Sequence, residues 1–287
     1  MTEYTKILTK IVQIILKKAY HNNKKNNEIY NNTKEMNYET YDTKYGKISL
    51  YNNESIIGGA FKYGGYWEEE EMKSLAEYIP KDKNILEIGA HCGTSTIFYS
   101  RLIKDDCKMY VYEPQRKMYN LLTHNIEQNQ LQNKIYPVNS GVFCYKGTAK
   151  MNNFDIDGCG QYLDVVEKNN IMCNYGGIAL GNNGEQINVT TIDDMNLENI
   201  GFIHSDAQGC ENYIFSKGLE TIKKYRPVIF YEDCYSYYRI LYDQVTSTYP
   251  QYNEESKFDI KKYCLETLGY RTCIDRFCGS MNNLLIP

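Results

Sequence analysis

No segment of this chain is apolar enough to cross a bilayer: the longest uncharged apolar run, from Ile11 to Leu16, falls far short of a span. Basic charge is not in excess either. Lys and Arg number 32 against 36 Asp and Glu, a net charge of −4, which argues against a face for non-specific nucleic-acid binding. The ten cysteines include no Cys-x-x-Cys pair, and the beginning carries no signal core with a cleavage site. A disulfide scaffold and a zinc site are thereby disfavoured, and reduced thiols in a cytoplasmic chain are expected. What is present is the composition of a globular protein, 42% hydrophobic and 24% charged. Its 287 residues suffice for one large α/β domain with additions, or for two small ones.

The stretch from Asn84 to Thr96 organises the rest. It reads as an apolar strand ending at Glu87-Ile88, a turn with Gly89 and Gly93, and a helix running to Leu102. Glycine lets backbone N–H groups at a helix N-terminus come close to a ligand, because no Cβ intervenes. A dinucleotide fingerprint needs a second glycine where His91 stands, so pyrophosphate binding is disfavoured. The spacing from Glu87 through Gly89, Ala90 and His91 to Gly93 suits a nucleoside with an amino-acid tail, as in S-adenosylmethionine. A second strand, 108–112, ends at Glu113, about 24 residues past Gly89, where a βαβ unit places the acid that accepts from ribose hydroxyls. A third strand, 135–138, ends at Asn139 and Ser140, which are candidates for the adenine edge.

Residues 4–20 place Ile7, Leu8, Ile11, Ile14, Ile15 and Ala19 near one helical face, with lysines largely opposite. Such a helix docks on the domain or on a second subunit; lying on a membrane surface is the less favoured reading. An Asn/Lys-rich tract follows, so residues 1–40 form a helix and linker and 41–287 the main domain. A small hairpin over 42–51 and a helix opened by four glutamates after Trp67 precede the central motif. Trp67 reads as a packing residue or as a substrate platform. Strand-like pieces at 147–151 and 186–190 flank a long loop, about 155–184, of the kind that forms lids or binding surfaces. The strand 200–206 carries His204 and Asp206 and leads through Gln208 into a helix from Glu211 through Leu219. A further strand, 227–231, ends at Glu232. Strands alternating with helices give a mostly parallel, doubly wound sheet with helices on both faces, closed by a late antiparallel strand near Leu284 to Ile286. Glu87, Glu113, Ser140, Asp206 and Glu232 all fall at carboxyl ends of strands, where such sheets bind ligands.

With these residues in hand, the chain resembles the FkbM family of S-adenosylmethionine-dependent methyltransferases over roughly Gly64 to Asp233. The resemblance rests on Trp67-Glu68, on Ile85 to Gly93, on Tyr112-Glu113-Pro114 with Asn125, on Val189 to Asp194, and on Phe202 to Glu211. It continues into Gly218 and the Arg226 to Glu232 strand. It implies an α/β, Rossmann-like fold of the class I methyltransferase type and O-methylation, often of sugars. It also departs from the family's usual pattern: a Lys-Ile-Asp becomes His204-Ser205-Asp206, and a Glu-Gly-x-Glu becomes Gln208-Gly209-Cys210-Glu211. One positive and one negative charge are lost while Asp206 and Glu211 remain.

For methyl transfer the enzyme mainly aligns donor and acceptor, and a base activates the hydroxyl. Asp206 is the first choice for that base and His204 the second, the latter also reading as a hydrogen-bonded strand residue. The cofactor site comprises Glu87, Gly89, Ala90, His91, Gly93, Glu113, Asn139 and Ser140; the acceptor site comprises Trp67, Gln208 and Glu232. Carboxylates at Asp206, Glu232 and Asp233 also suit Mg²⁺; a metal-free site is the reading adopted. The partner expected is a small-molecule or glycan acceptor, not nucleic acid, since a basic stripe and an Asn-Pro-Pro-Tyr type motif are missing. The alternative from another class is a methyltransferase-like scaffold without catalysis.

Overall fold

The computed structural model describes residues 37–287. The amphipathic helix expected over residues 4–20, and with it the docking or membrane role, lies outside those residues, as does nearly all of the linker. β1 (Tyr38–Thr43) and β2 (Gly46–Tyr51) form an antiparallel hairpin. Two short helices follow, α1 (Ile57–Lys62) and α2 (Glu69–Leu75), the latter with Glu69, Glu70 and Glu71 in its first turn, where the helix dipole favours anions.

The central unit then alternates as the sequence suggests: β3 (Asn84–Ile88), α3 (Thr94–Ser100), β4 (Met109–Tyr112), α4 (Arg116–Gln128) and β5 (Ile135–Val138). After an insertion come β10 (Ile200–Ser205), α6 (Glu211–Ser216), α7 (Leu219–Tyr225) and β11 (Val228–Glu232), and near the end β12 (Thr272–Ile274) and β13 (Asn282–Ile286). Their sheet has the order β12-β13-β11-β10-β3-β4-β5. All neighbours pair parallel except β13, which runs antiparallel to β11 and β12. The fold is α/β, of the class I methyltransferase Rossmann-like type. Strand order reverses between β3 and β10, which opens a crevice at their carboxyl ends.

Period-two alternation builds a core on each face of this sheet. Ile85, Met109, Val111, Phe202 and Phe230 join Ile97, Tyr99, Met118 and Leu122 from α3 and α4. Leu86, Ile88, Ile203, Ile229 and Tyr231 join Tyr213, Ile214 and Ile222 from α6 and α7. Strands covered on both faces read as nearly unbroken apolar runs, as β10 and β11 do.

Local differences from expectation have local causes. The helix after β3 ends at Ser100, and Arg101 and Leu102 close it with turns to Phe98 and Tyr99 carbonyls. The single helix expected from Glu211 through Leu219 is two. Asp193 accepts from the Glu220 and Thr221 N–H groups, which starts a new helix at Leu219. The expected long loop is not structureless. Between β5 and β10 the chain makes β6 (Gly141–Val142), β7 (Gly147–Met151), helix α5 (Leu163–Asn169), β8 (Leu180–Gly181) and β9 (Gln186–Thr190). The four strands form a second sheet of order β6-β9-β7-β8. Among the described residues no helix is long and apolar enough to cross a membrane. All ten cysteines are free.

Candidate active site

The turn after β3 is welded to the end of β10. A Cβ on Gly89 would lie 1.7 Å from the Asp206 carbonyl oxygen, and the backbone there has φ +83°, so only glycine lets the two segments touch. Asp206 N–H donates to the Ile88 carbonyl at 2.9 Å, while Gly89 and Ala90 N–H groups donate to that of Tyr112. Gly93, with φ +91°, precedes α3 and packs against Leu122. Asn125, fully buried on α4, donates to the carbonyls of Cys92 and Ser49, and so ties the turn to the first hairpin.

Glu113, just past β4, is 2% exposed. Its Oε2 accepts from the His91 backbone N–H and its Oε1 from that of Gln115, both at 2.8 Å. Burial pushes its pKa up to about 8, against the pull of those two N–H groups. Each oxygen keeps a further lone pair, which is the acceptor pair a vicinal diol requires. His91 has left-handed φ of 52°, and its buried ring has neither nitrogen hydrogen-bonded; burial lowers its pKa to about 4. Ser140 is buried with its hydroxyl on the Gly141 and Asn188 carbonyls. Asn139 donates instead to the Glu113 and Pro114 carbonyls, which fixes the strand end.

Glu87 is fully buried. Its carboxylate accepts from the Ser95 hydroxyl at 2.5 Å and the Thr96 hydroxyl at 2.7 Å, so it braces α3 against β3. His204 Nδ1 stands 3.6 Å from Glu87 Oε1, beyond hydrogen-bond reach, and its ring lies against Tyr99 and Phe230. Asp206 is half-buried and accepts from Gln208 Nε2 at 3.0 Å. Burial raises its pKa, while His204 opposes the rise. Glu211 accepts from the Ala207 and Gly209 N–H groups and clamps the loop carrying Asp206. Parallel pairing of Ser205 with Tyr231 sets Glu232 beside Asp206; Glu232 is buried and accepts from the Cys234 thiol. Trp67 is half-buried and packs on the hydrophobic core.

Gly89, His91, Glu113, Ser140, Asp206 and Gln208 line one pocket. Glu87, Ala90, Gly93, Asn139, His204, Trp67 and Glu232 do not line it. Most of its apolar wall went unread in the sequence: Tyr112 on β4, Val142 on β6, Met151 on β7, then Ile178 and Leu180. Alternation in 147–151 gave the strand but not its destination, because nothing local says which sheet edge an insertion folds over. Gln115, donating to the Tyr175 carbonyl, pins the insertion to the pocket's rim. Among the described residues no three His, Cys, Asp or Glu side chains are arranged to hold a metal ion.

A model of the methyltransferase FkbM domain matches residues 87–271, and one of protein-L-isoaspartate(D-aspartate) O-methyltransferases matches residues 10–162. No curated protein matches the sequence. Among solved structures, the methyltransferase FkbM from Methylobacillus flagellatus KT is 13% identical with a TM-score of 0.45. The match covers 76% of this chain and 58% of that one, so this chain spans little more than half of that protein's length. The O-methyltransferase from Bacillus cereus, in complex with SAH, is 15% identical with a TM-score of 0.41, covering 83% of this chain and 84% of that one. The Pyrococcus abyssi tRNA (uracil-54, C5)-methyltransferase, with S-adenosyl-L-homocysteine, is 9% identical with a TM-score of 0.38, covering 87% and 43%.

Proposed function

The chain belongs to the FkbM methyltransferase domain family, and on that premise we propose that it transfers the methyl group of S-adenosylmethionine to a hydroxyl, that of a sugar or glycan. The observation that carries the reading is Glu113, a buried carboxylate anchored by two backbone N–H groups with a lone pair left on each oxygen. It lines a pocket whose other residues, among them Tyr112, Val142, Met151 and Leu180, give an apolar surface suited to a purine. The donor set and the wall fit a nucleoside. When bound, the sulfonium supplies an already activated methyl group.

The chain's own residues then have two tasks. The first is alignment: the Gly89 turn and the Asp206 backbone are in van der Waals contact, so the cofactor turn and the base are fixed relative to each other. Fixed geometry of this kind removes much of the entropic part of the barrier. The second is proton removal. Gln208 holds one oxygen of Asp206, which leaves the other to accept the hydroxyl proton, and burial makes this carboxylate a stronger base than usual.

Labelled S-adenosylmethionine offered with a panel of glycans and small alcohols tests this directly. Transfer to a hydroxyl is expected, and Asp206→Asn should reduce it about 10²–10⁴-fold. Calorimetry with S-adenosylmethionine separates the scaffold alternative, since heat of binding is expected and its absence at millimolar ligand would sink the enzyme reading.

A further inference from the structure

Acidic side chains gather at the carboxyl ends of β3 and β10 on the face covered by α3. Glu87 and Asp206 come from the two strand ends, and Glu68 and Glu71 from the start of α2. The Tyr99 hydroxyl on α3 feels all four of them. Among the described residues, no Lys or Arg forms an ion pair with any of the four acids; the lysines near α2 pair with Glu69 and Glu70. The basic group in their midst is His204. Its ring is 7% exposed, stands 3.6 Å from Glu87, and makes no hydrogen bond through Nδ1. Tyr99 meets it edge-on at 5.6 Å, and Phe230 covers it at 5.3 Å.

We infer that His204 works as a buried positive charge, an imidazolium that keeps Glu87 and Asp206 compatible with each other, and thereby positions the base without being it. The inference rests on the reading of Asp206 as the base of methyl transfer. A base must reach the hydroxyl, and the His204 ring is not part of the pocket. Both Glu87 oxygens already act as acceptors, for Ser95 and Thr96, so the side of Glu87 turned to His204 also calls for a proton donor. A neutral ring would leave the buried Glu87 and the half-buried Asp206, at neighbouring strand ends, without a counter-charge, a costly arrangement. Burial alone would strip the ring of its proton, but Glu87, Asp206 and Glu68 outweigh burial and hold its pKa above the usual histidine range. In return His204 pulls down the pKa of Asp206.

The ring can be watched without any acceptor. Nitrogen-15 histidine NMR of the full chain should show His204 as imidazolium at pH 7, losing its proton only above the ordinary histidine range. The resonance is assigned by its loss in His204→Gln. Asp206→Asn removes one neighbouring carboxylate and should lower that titration. A neutral His204 ring at pH 7, or a titration unmoved by Asp206→Asn, overturns the inference and leaves methyl transfer untouched. In turnover, His204→Gln should shift the acid limb of kcat/KM upward by about one pH unit, because Asp206 loses its counter-charge. His204→Lys, which restores a positive charge, should keep that limb in place. A drop by the same factor at every pH in His204→Gln marks a packing residue and also overturns the proposal. Absence of methyl transfer in the wild type, with the ring titrating as stated, sinks the proposed function alone.

Discussion

Two carboxylates at neighbouring strand ends show how the same residue type is committed to different work by what hydrogen-bonds to it. Glu87 accepts from two side-chain hydroxyls in the first turn of α3, and does not line the pocket. Glu113 accepts from two backbone N–H groups and does line it. The sequence puts both at carboxyl ends of strands and in a cofactor site; it does not say that Ser95 and Thr96 would turn their hydroxyls back onto Glu87. Glu113 therefore carries the sharper prediction. In Glu113→Gln one of the two diol-accepting positions becomes a donor, and above the raised Glu113 pKa of about 8, where the acid is ionised, losing a hydrogen bond to a charged group costs about 1.5–3 kcal/mol. Affinity for S-adenosylhomocysteine should fall roughly tenfold to over a hundredfold by calorimetry. Unchanged affinity in a folded variant would mean that Glu113 holds only the His91 turn.

Elements were legible where their signals were local. The strands at Asn84–Ile88, Met109–Tyr112, Ile135–Val138 and Gln186–Thr190 follow from short apolar or alternating runs between turn residues. Breaks set by distant partners were not legible. Nothing in Glu211 to Leu219 announces that Asp193, on the far side of β10, will claim the N–H groups of Glu220 and Thr221. The same carboxylate also accepts from the Thr221 hydroxyl at 2.8 Å, so it serves α7 as a capping residue does although it lies well away in the chain. Asp193→Ala should cost about 0.5–2 kcal/mol, the usual range for a lost cap. In urea the unfolding midpoint should fall while the slope stays the same. A midpoint equal to wild type would show that packing of Ile222 in the core, not capping, holds that helix. The insertion between β5 and β10 is the other illegible piece. Its strands could be read, but their use as the apolar wall of the pocket depends on the contact of Tyr175 with Gln115, made across a long separation.

At the scale of the whole molecule, the fold buries acids that are expensive to ionise. Glu54, Glu113 and Glu211 are each at least 97% buried, and burial raises their pKa to about 7, 8 and 8 from the ordinary 4.5. A carboxyl whose folded pKa is raised binds its proton more tightly folded than unfolded. The stability it contributes is complete below the unfolded value and is lost as pH climbs toward the folded one, here between about 4.5 and 8. Each such proton is worth up to about 1.4 kcal/mol per pH unit within that window. His91 works in the opposite sense: its pKa, lowered from 6.5 to about 4, removes stability as pH falls through that range. One histidine does not offset three carboxyls, so the stability maximum is expected on the acid side of neutrality. Calorimetric melting should give a lower Tm at pH 8.5 than at pH 6, by roughly 2–4 °C for every kcal/mol lost. Glu54→Gln should flatten part of that decline, because the amide cannot ionise, yet its oxygen still accepts from the Tyr175 N–H that moors the pocket wall. A Tm that is equal or higher at pH 8.5 would mean that these acids keep company with water or a counter-charge in solution, and that burial does not hold their protons.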